Sequence, residues 1–334
     1  MALLWTVLLL VGCGGPAGEA GREPVPPQAA ALLGRAQQAY EQGAYVAALG
    51  LADSAAHHAP ERPEIAFLKG LILRELLRYD EADAAFREAL ERDAAYRSAR
   101  YNLGQNAFLR QRYREALRWY RAEERLLRDV LQRGEAGPKD RAALAVVLAQ
   151  AGRSYALLGV ADSARTAYRA ALDLDTTHVA ARAWLAELER EAGNLDAALA
   201  QARRVWRQAP GNPEYALLLA GTLLRAGRAE EALPLLQTAA QQQPWNREAV
   251  YQLGRALLTL GRTEEATRHL ARVDTLEALR RRVSLAHLAV TQYPDDPARW
   301  EEYAMLLHQA GHRAEAVRAV RVARALRAQR GEKR

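Results

Sequence analysis

Small residues recur along this chain at a fixed interval of 34 residues. Gly159, Gly193, Gly227 and Gly261 follow the interval, and an alanine stands five positions after each of them. A repeat of this length indicates stacked copies of one small structural unit. The chain is also rich in Ala, Leu and Arg and has only 3 Phe, a composition that favours helices over strands. The pattern therefore predicts an all-α repeat protein.

Eight copies of the repeat can be aligned when each is numbered from 1 to 34. The copies start at Ala29, Pro63, Arg97, Ala145, Val179, Pro213, Arg247 and Pro297. Position 20 is alanine in all eight copies, and position 8 is alanine or glycine in all eight. Small side chains at two fixed positions predict that the two helices of each copy, helix A and helix B, cross closely there.

The ends of the helices carry their own signals. Glycine occupies position 15 in six copies, with Leu77 and Gln111 as the exceptions, and glycine can end helix A in a left-handed conformation. Helix B is expected to stop near a proline in four copies: Pro60, Pro210, Pro244 and Pro294. Large side chains at positions 17 and 24 are expected to fill the seams between stacked units: Tyr45, Tyr79, Tyr113, Phe86, Tyr120 and Tyr168.

These residues together resemble the tetratricopeptide repeat (TPR), a 34-residue helix-turn-helix unit, over most of residues 29 to 330. The resemblance implies an all-α, right-handed superhelical solenoid of about eight TPR units with a C-terminal capping helix. The capping helix, Ala314 to Arg330, is expected to present a solvated basic face. That face would carry Arg318, Arg321, Arg324 and Arg327.

The repeat register breaks twice, which divides the chain. A lengthened helix B and a loop containing Gly134, Gly137 and Pro138 account for the first break, and an extra helix from Leu279 to Gln292 accounts for the second. The expected segments are TPR units one to three at 29–122, the helix and loop insertion at 123–144, units four to seven at 145–276, the extra helix at 277–296, and unit eight with the capping helix at 297–330.

The N-terminus resembles a bacterial lipoprotein signal. Ala2 to Gly12 is apolar and too short to cross a bilayer, and it ends in Leu-Val-Gly before Cys13, as in the lipobox of that family. The residues before the lipobox contain no Lys or Arg, which the family's signals normally have. The resemblance implies that residues 1–12 are removed and that Cys13 carries a lipid. Residues 13–28, rich in Gly and Pro, would then form a flexible tether.

Such an anchor would place the protein in the cell envelope, on the periplasmic face of the outer membrane or the outer face of the cytoplasmic membrane. A single cysteine cannot form an internal disulfide, so the fold must rely on burial. The net charge of +7 comes mainly from arginines that alternate with acidic residues, so no nucleic-acid partner is expected.

A search for catalytic motifs favours a protein that is not an enzyme and needs no cofactor. The sequence has no phosphate-binding loop, nucleophile elbow or dinucleotide glycine fingerprint. His308 and His312 have the spacing of a zinc motif, but the general-base Glu is missing and Gly311 interrupts the helix, so no metal is predicted.

Protein binding is the function that the family resemblance implies. In that family the concave face is lined by positions 2, 5, 6, 9 and 12 of helix A. In the first three units these positions supply the predicted binding residues: Leu33, Gln37, Tyr40, Phe67, Leu71, Arg74, Tyr101, Asn102, Gln105 and Phe108. In units four to seven they give a more mixed surface: Val146, Arg153, Glu187, Arg190, Leu217, Leu224, Tyr251 and Arg255.

An extended or helical segment of another protein would suit these apolar and amide groups. The Lys/Asn clamp of chaperone adaptors is absent, because position 5 is never Lys and position 9 is never Asn. The sequence thus predicts a membrane-anchored TPR scaffold for a cell-envelope complex. A helical-repeat RNA-binding protein and an envelope glycan-binding or glycan-processing protein remain alternatives.

Overall fold

A computed structural model describes residues 24–135 and 137–331. Cys13, the predicted signal at 1–12 and most of the predicted tether at 13–28 lie outside the described residues. Seventeen α-helices and no strands occur in the described parts of the chain. The helices are α1 Pro27–Glu41, α2 Tyr45–His58, α3 Pro63–Glu75, α4 Tyr79–Arg92, α5 Ala99–Leu109, α6 Tyr113–Gln132, α7 Pro138–Leu157, α8 Ala161–Leu174, α9 Val179–Glu191, α10 Leu195–Gln208, α11 Pro213–Arg225, α12 Ala229–Gln242, α13 Arg247–Thr259, α14 Thr263–Leu270, α15 Val273–Gln292, α16 Pro297–Gln309 and α17 Arg313–Gln329.

The two small positions of the repeat lie where helices A and B of each hairpin meet. All eight alanines at position 20 are at most 5% exposed. At position 8, a Cβ added to Gly70 would lie 2.6 Å from the ring of Phe86, and one added to Gly152 would lie 2.7 Å from the ring of Tyr168. Phe86 and Tyr168 stand at position 24, so a large side chain of helix B covers the glycine of its own helix A.

Every helix A ends in the same left-handed turn. The six glycines at position 15 have positive φ, between +72° and +81°. The two exceptions adopt the same backbone, with φ of 59° at Leu77 and 60° at Gln111. The turn therefore belongs to the repeat, and glycine is the residue that adopts it at least cost.

The chain forms two compact units. The first, here called unit 1, comprises residues 24–112 and 282–331 of the described chain, and unit 2 comprises residues 113–281. In unit 1, α17 packs against α2 as well as α16. Val322 and Leu326 of α17 share an apolar cluster with Ala48 and Ala52 of α2. The C-terminal repeat is thus part of the same core as the N-terminal repeats.

Two of the four arginines expected on the basic face of α17 contact the first repeats. Arg321 Nη1 donates a hydrogen bond of 2.8 Å to the carbonyl of Gln42, and Arg318 Nη1 lies 3.9 Å from a carboxylate oxygen of Glu75. Arg318 also hydrogen-bonds the side chain of Tyr45. The basic side of this helix therefore serves partly as a contact surface within unit 1.

The segments at the two register breaks are helical over longer ranges than the sequence indicated. Helix α7 begins at Pro138, which was expected in the loop, because proline suits the first helical position and the Gly137 N–H donates to Asp140 Oδ2 at 2.8 Å. Helix α14 has only 8 residues. The following helix α15 starts at Val273 and contains the whole segment expected as the extra helix.

Candidate protein-binding surfaces

The ten predicted binding residues of the first three repeats all lie on α1, α3 and α5 in unit 1. None of them is fully exposed: Tyr40, Phe67, Arg74 and Asn102 are buried, and the other six are half-buried. Helix A of each of these repeats thus carries the predicted side chains. Their burial, however, shows that many of them already contact other parts of the protein.

Arg74 joins the A helices of three successive repeats. Its Nη1 donates to Oδ1 of Asn102 on α5, and its guanidinium hydrogen-bonds Tyr40 on α1. Asn102 in turn donates from Nδ2 to the carbonyl of Ser98 at 2.8 Å. Burial, followed by the charge of Glu75, raises the pKa of Tyr40, so the phenol remains neutral. These three predicted residues form one internal polar network.

Other predicted residues of unit 1 are engaged in a similar way. The Phe67 ring packs against Phe86 and Tyr96, with ring centroids 5.6 and 5.2 Å apart. Gln105 Nε2 donates to the Tyr101 hydroxyl at 2.6 Å. Leu33 and Leu71 pack against the apolar cluster that contains residues of α17, while Gln37 donates to Glu41 and Phe108 stays half-buried. Most of this face is therefore occupied by contacts within unit 1.

The corresponding face of unit 2 is formed by α7, α9, α11 and α13. Arg153 of α7 lies over the ring of Trp184 on α9, with 5.0 Å between the guanidinium carbon and the ring centroid. On α13, Arg247 and Arg255 both approach the ring of Tyr251, at 5.6 and 5.8 Å. Cation–π contacts of this kind hold the aromatic rings in place.

Two charged side chains on α9 have no ion-pair partner. Among the described residues, Glu187 and Arg190 make no side-chain hydrogen bond and no ion pair within 4.0 Å. Glu187 is exposed. Desolvation raises the pKa of its carboxyl group, and the positive charges of Arg190 and Arg153 oppose that shift.

Gly221 of α11 lies beside Arg190 and was not singled out by the sequence. A Cβ at this position would lie 2.9 Å from Arg190 Nη1 and 2.9 Å from Gln252 Oε1 on α13. The available signal was the residue at position 9, which is Arg153, Glu187 and Arg255 in the other repeats of this unit. Absence of a side chain at Gly221 makes room for groups from both neighbouring helices.

No group of three or more His, Cys, Asp and Glu in the described residues is arranged to hold a metal ion. In the same residues, no helix combines the length and the apolar character needed to cross a bilayer.

Sequence comparison identifies the repeat directly. One tetratricopeptide repeat profile matches residues 158–221 and 223–288, and a second profile of the same repeat matches residues 67–129. The chain belongs to the tetratricopeptide repeat proteins. No curated protein sequence matches it.

Solved TPR structures share the fold at low sequence identity. A TPR protein from Parabacteroides merdae aligns with a TM-score of 0.58 and 16% identity, covering 75% of this chain and 94% of its own. PilW, a type IV pilus biogenesis factor, aligns with a TM-score of 0.57 and 17% identity over 67% of this chain and 97% of its own. PilF of Pseudomonas aeruginosa aligns with a TM-score of 0.56 and 15% identity, covering 66% of this chain and 95% of its own.

TPR proteins are generally non-catalytic scaffolds that bind peptides or proteins in a groove. In this TPR chain the helix A face of unit 2, from here on called the unit 2 face, offers unpaired charged groups and exposed aromatic surface. Tyr251 is 36% exposed. The unit 2 face is therefore the better candidate surface for a partner than the predicted residues of unit 1.

Proposed function

We propose that this TPR protein is a non-catalytic scaffold that a lipid on Cys13 holds at a membrane of the bacterial envelope. There it binds another protein through the unit 2 face and supports assembly of an envelope complex. The observation that carries the proposal is the state of Glu187 and Arg190 on the unit 2 face, because neither side chain makes a hydrogen bond or an ion pair within 4.0 Å among the described residues.

The lipid anchor is supported by the sequence alone. An apolar segment followed by Leu-Val-Gly-Cys resembles a lipobox, and a Gly/Pro-rich stretch follows it. A single acyl chain binds membranes only marginally, whereas two hold a protein stably, and lipidation of this type supplies at least two. Confinement to a membrane raises the effective concentration of the scaffold near membrane-bound partners.

The anchor is tested by fractionation and mass spectrometry of the full chain. Wild-type protein is expected in the membrane fraction with an acylated Cys13 at its N-terminus, and the Cys13→Ser variant is expected to leave that fraction. A wild-type protein that keeps Met1 and stays in the cytosol would refute the anchor and the envelope location together.

The binding surface is tested by reversing charge on the unit 2 face. Arg190→Glu with Arg255→Glu is expected to abolish cross-linking to the envelope protein that co-purifies with wild type. The matched control is Arg114→Glu with Arg118→Glu. These two exposed arginines lie on α6, which is a helix B and therefore not part of the unit 2 face. Equal loss in both double variants would contradict a specific role for the face, and recovery of RNA in place of protein would support the RNA-binding alternative.

A further inference from the structure

We infer that α15 binds an anionic lipid surface through three exposed residues of unit 1. In this arrangement Leu285 and Leu288 enter the boundary between headgroups and acyl chains, and Arg282 binds lipid phosphate. These three residues, here called the α15 face, all lie in the part of α15 that belongs to unit 1. The lipid contact goes beyond the proposed function, because it involves neither Cys13 nor the unit 2 face.

Helix α15 carries apolar side chains on two sides, and unit 1 packs against only one of them. Ala286 and Val290 are buried, and Val283 packs against the apolar cluster that contains Val290. Leu285 and Leu288 lie on the opposite side of the helix, where they are 67% and 51% exposed. Leu285 is the most exposed large apolar side chain in the described part of the chain. The packing of unit 1 therefore does not account for these two leucines.

Arginines accompany the leucines along the same helix. Arg280, Arg281 and Arg282 form the only run of three consecutive basic residues in the sequence. Arg280 Nη2 and Arg281 Nε lie 2.7 and 3.5 Å from Oε1 of Glu277. Arg282 is exposed, and among the described residues it makes no side-chain hydrogen bond and no ion pair within 4.0 Å. It stands three positions before Leu285, so an unpaired positive charge lies beside the exposed leucines.

An anionic bilayer surface satisfies both kinds of side chain at once. Leucines at a bilayer interface bury their methyl groups near the acyl chains, while a long arginine side chain keeps its guanidinium at the level of the phosphates. Anionic lipids also attract Lys and Arg side chains that lie near the surface. A bilayer needs no matching pocket, which suits two leucines that project from the convex surface of one helix.

Protein partners fit the α15 face less well. A second copy of this chain would bring another Arg282 of the same charge, and the α15 face has no Asp or Glu to pair with it. An acidic protein would neutralise Arg282. Apolar residues that bind proteins strongly fill well-packed pockets, however, whereas Leu285 and Leu288 stand side by side on the surface of a helix.

Two leucines and one unpaired arginine bind a membrane only weakly by themselves. A weak contact suffices where a lipid already holds the protein, because confinement raises the effective concentration of the α15 face at the surface. The contact then determines which side of unit 1 faces the bilayer. Only this orienting role rests on the proposed function.

The test follows a fluorescent dye placed beside the leucines. Cys13→Ser removes the only cysteine, and Gln292→Cys then provides a single exposed thiol one helical turn after Leu288 for a polarity-sensitive dye. The labelled full chain is titrated with vesicles of two parts phosphatidylcholine to one part phosphatidylglycerol, and with vesicles of phosphatidylcholine alone. We expect a blue shift of the dye emission with the mixed vesicles, and about 10-fold weaker binding to phosphatidylcholine alone.

The leucines are tested by a paired substitution in this labelled chain. Leu285→Ser with Leu288→Ser is expected to weaken binding to the mixed vesicles about 10-fold, because less apolar surface enters the bilayer. The matched control is Leu157→Ser with Val160→Ser, which changes two exposed apolar side chains of unit 2 and is expected to leave binding unchanged. Residues 1–12 are the same in every variant, so any vesicle binding by that apolar segment is common to all of them.

The arginine is tested by removal of its charge. Arg282→Gln is expected to weaken binding to the mixed vesicles about 5-fold and to leave binding to phosphatidylcholine unchanged. Arg114→Gln, an exposed arginine of α6, is the matched control and is expected to bind like the parent chain. All substituted side chains are exposed, so thermal unfolding followed by circular dichroism is expected to stay the same in every variant.

Three results would overturn the inference. Mixed vesicles could leave the emission unchanged or bind the leucine variant as tightly as its parent. An emission shift that grows with protein concentration in the absence of vesicles would assign the α15 face to a second copy, and a shift caused by lipid-free envelope protein but by neither vesicle would assign it to a protein. Each result leaves the proposed function standing, because fractionation tests the anchor and cross-linking tests the unit 2 face.

Discussion

The two helix A faces of this protein are built from the same repeat positions but use their side chains differently. In unit 1, Arg74 binds Tyr40 and Asn102, so polar residues of three repeats satisfy one another. In unit 2, Glu187 and Arg190 have no such side-chain partner among the described residues. One repeat architecture thus supports either internal cross-linking or an available surface, depending on which side chains occupy the same few positions.

Burial explains the difference. Arg74 is 7% exposed and Asn102 is 6% exposed, and polar groups this deep require hydrogen-bond partners. Glu187 is exposed, so burial does not impose a hydrogen-bond partner on its carboxylate. The internal network of unit 1 therefore contributes to folding, whereas the unit 2 face retains groups whose binding energy is available to another molecule.

The largest effect on the free energy of unfolding is expected from Arg74→Met. The substitution keeps much of the side-chain volume but leaves the buried Asn102 carbonyl and the Tyr40 hydroxyl without their donor, so we expect the free energy of unfolding to fall by about 2 kcal/mol. Urea denaturation followed by circular dichroism measures the change. Arg190→Met is the matched control in unit 2 and is expected to stay within about 0.5 kcal/mol of wild type. Equal losses in both variants would erase the distinction between the two faces.

A smaller effect is expected at the turn that both units share. Gln111 is exposed and has φ of 60°, whereas Gly159 of unit 2 performs the same turn with φ of 76°. Gln111→Gly should stabilise the protein by about 1 kcal/mol, because glycine adopts this conformation with little strain. The reverse change, Gly159→Gln, should destabilise it by a similar amount. Thermal denaturation shows whether each substitution stabilises or destabilises the protein. A destabilising Gln111→Gly would show that the glutamine side chain stabilises the fold by more than its left-handed backbone destabilises it.

The smallest effect concerns the pH dependence contributed by Glu187. Its pKa is raised in the folded protein above the ordinary value of 4.5, chiefly by desolvation, so the folded state binds the proton more tightly than the unfolded state. Stability from this group is lost as pH rises from about 4.5 through the raised value. Glu187→Gln should therefore be slightly more stable than wild type at pH 7 and equal to it below pH 4.

Glu277 of α15 provides the opposite case for the same measurement. A hydrogen bond from Arg280 lowers its pKa to about 2, so the folded state favours the charged form. Its contribution is present above about pH 4.5 and disappears as pH falls toward 2. Glu277→Gln should thus be less stable than wild type at pH 7, and the difference should disappear as pH falls toward 2. Slopes of the same sign in both variants would contradict the raised pKa of Glu187.

Periodicity predicted the hairpins because the positions that shape them repeat every 34 residues. The alanines at position 20 and the turn at position 15 occur where the sequence indicated, and even Leu77 takes the left-handed backbone. The same residues could not show that α7 begins at Pro138. That boundary depends on a local proline and on Asp140, which accepts a hydrogen bond from the residue before the helix.

Side-chain pairing was less accessible to sequence reasoning. Arg74 and Asn102 are 28 residues apart, an interval that the repeat does not mark, so their bond was not expected and both were assigned to a partner. Arg321 and Gln42 are separated by 279 residues, and no pattern within one repeat indicates such a contact. Gly221 was overlooked because its contribution is the space that a missing side chain leaves for Arg190 and Gln252.

The covering of Gly70 and Gly152 by an aromatic ring of their own helix B has a mechanical consequence. Because Phe86 packs on Gly70 and Tyr168 on Gly152, a hairpin retains a small core even when its neighbour is pulled away. Stretching the chain between its ends should then unfold one hairpin at a time. Each step frees a contour length of roughly 110–120 Å for a 34-residue repeat. Optical-tweezer traces would show these steps as a ladder of extensions, with longer steps at the two register breaks.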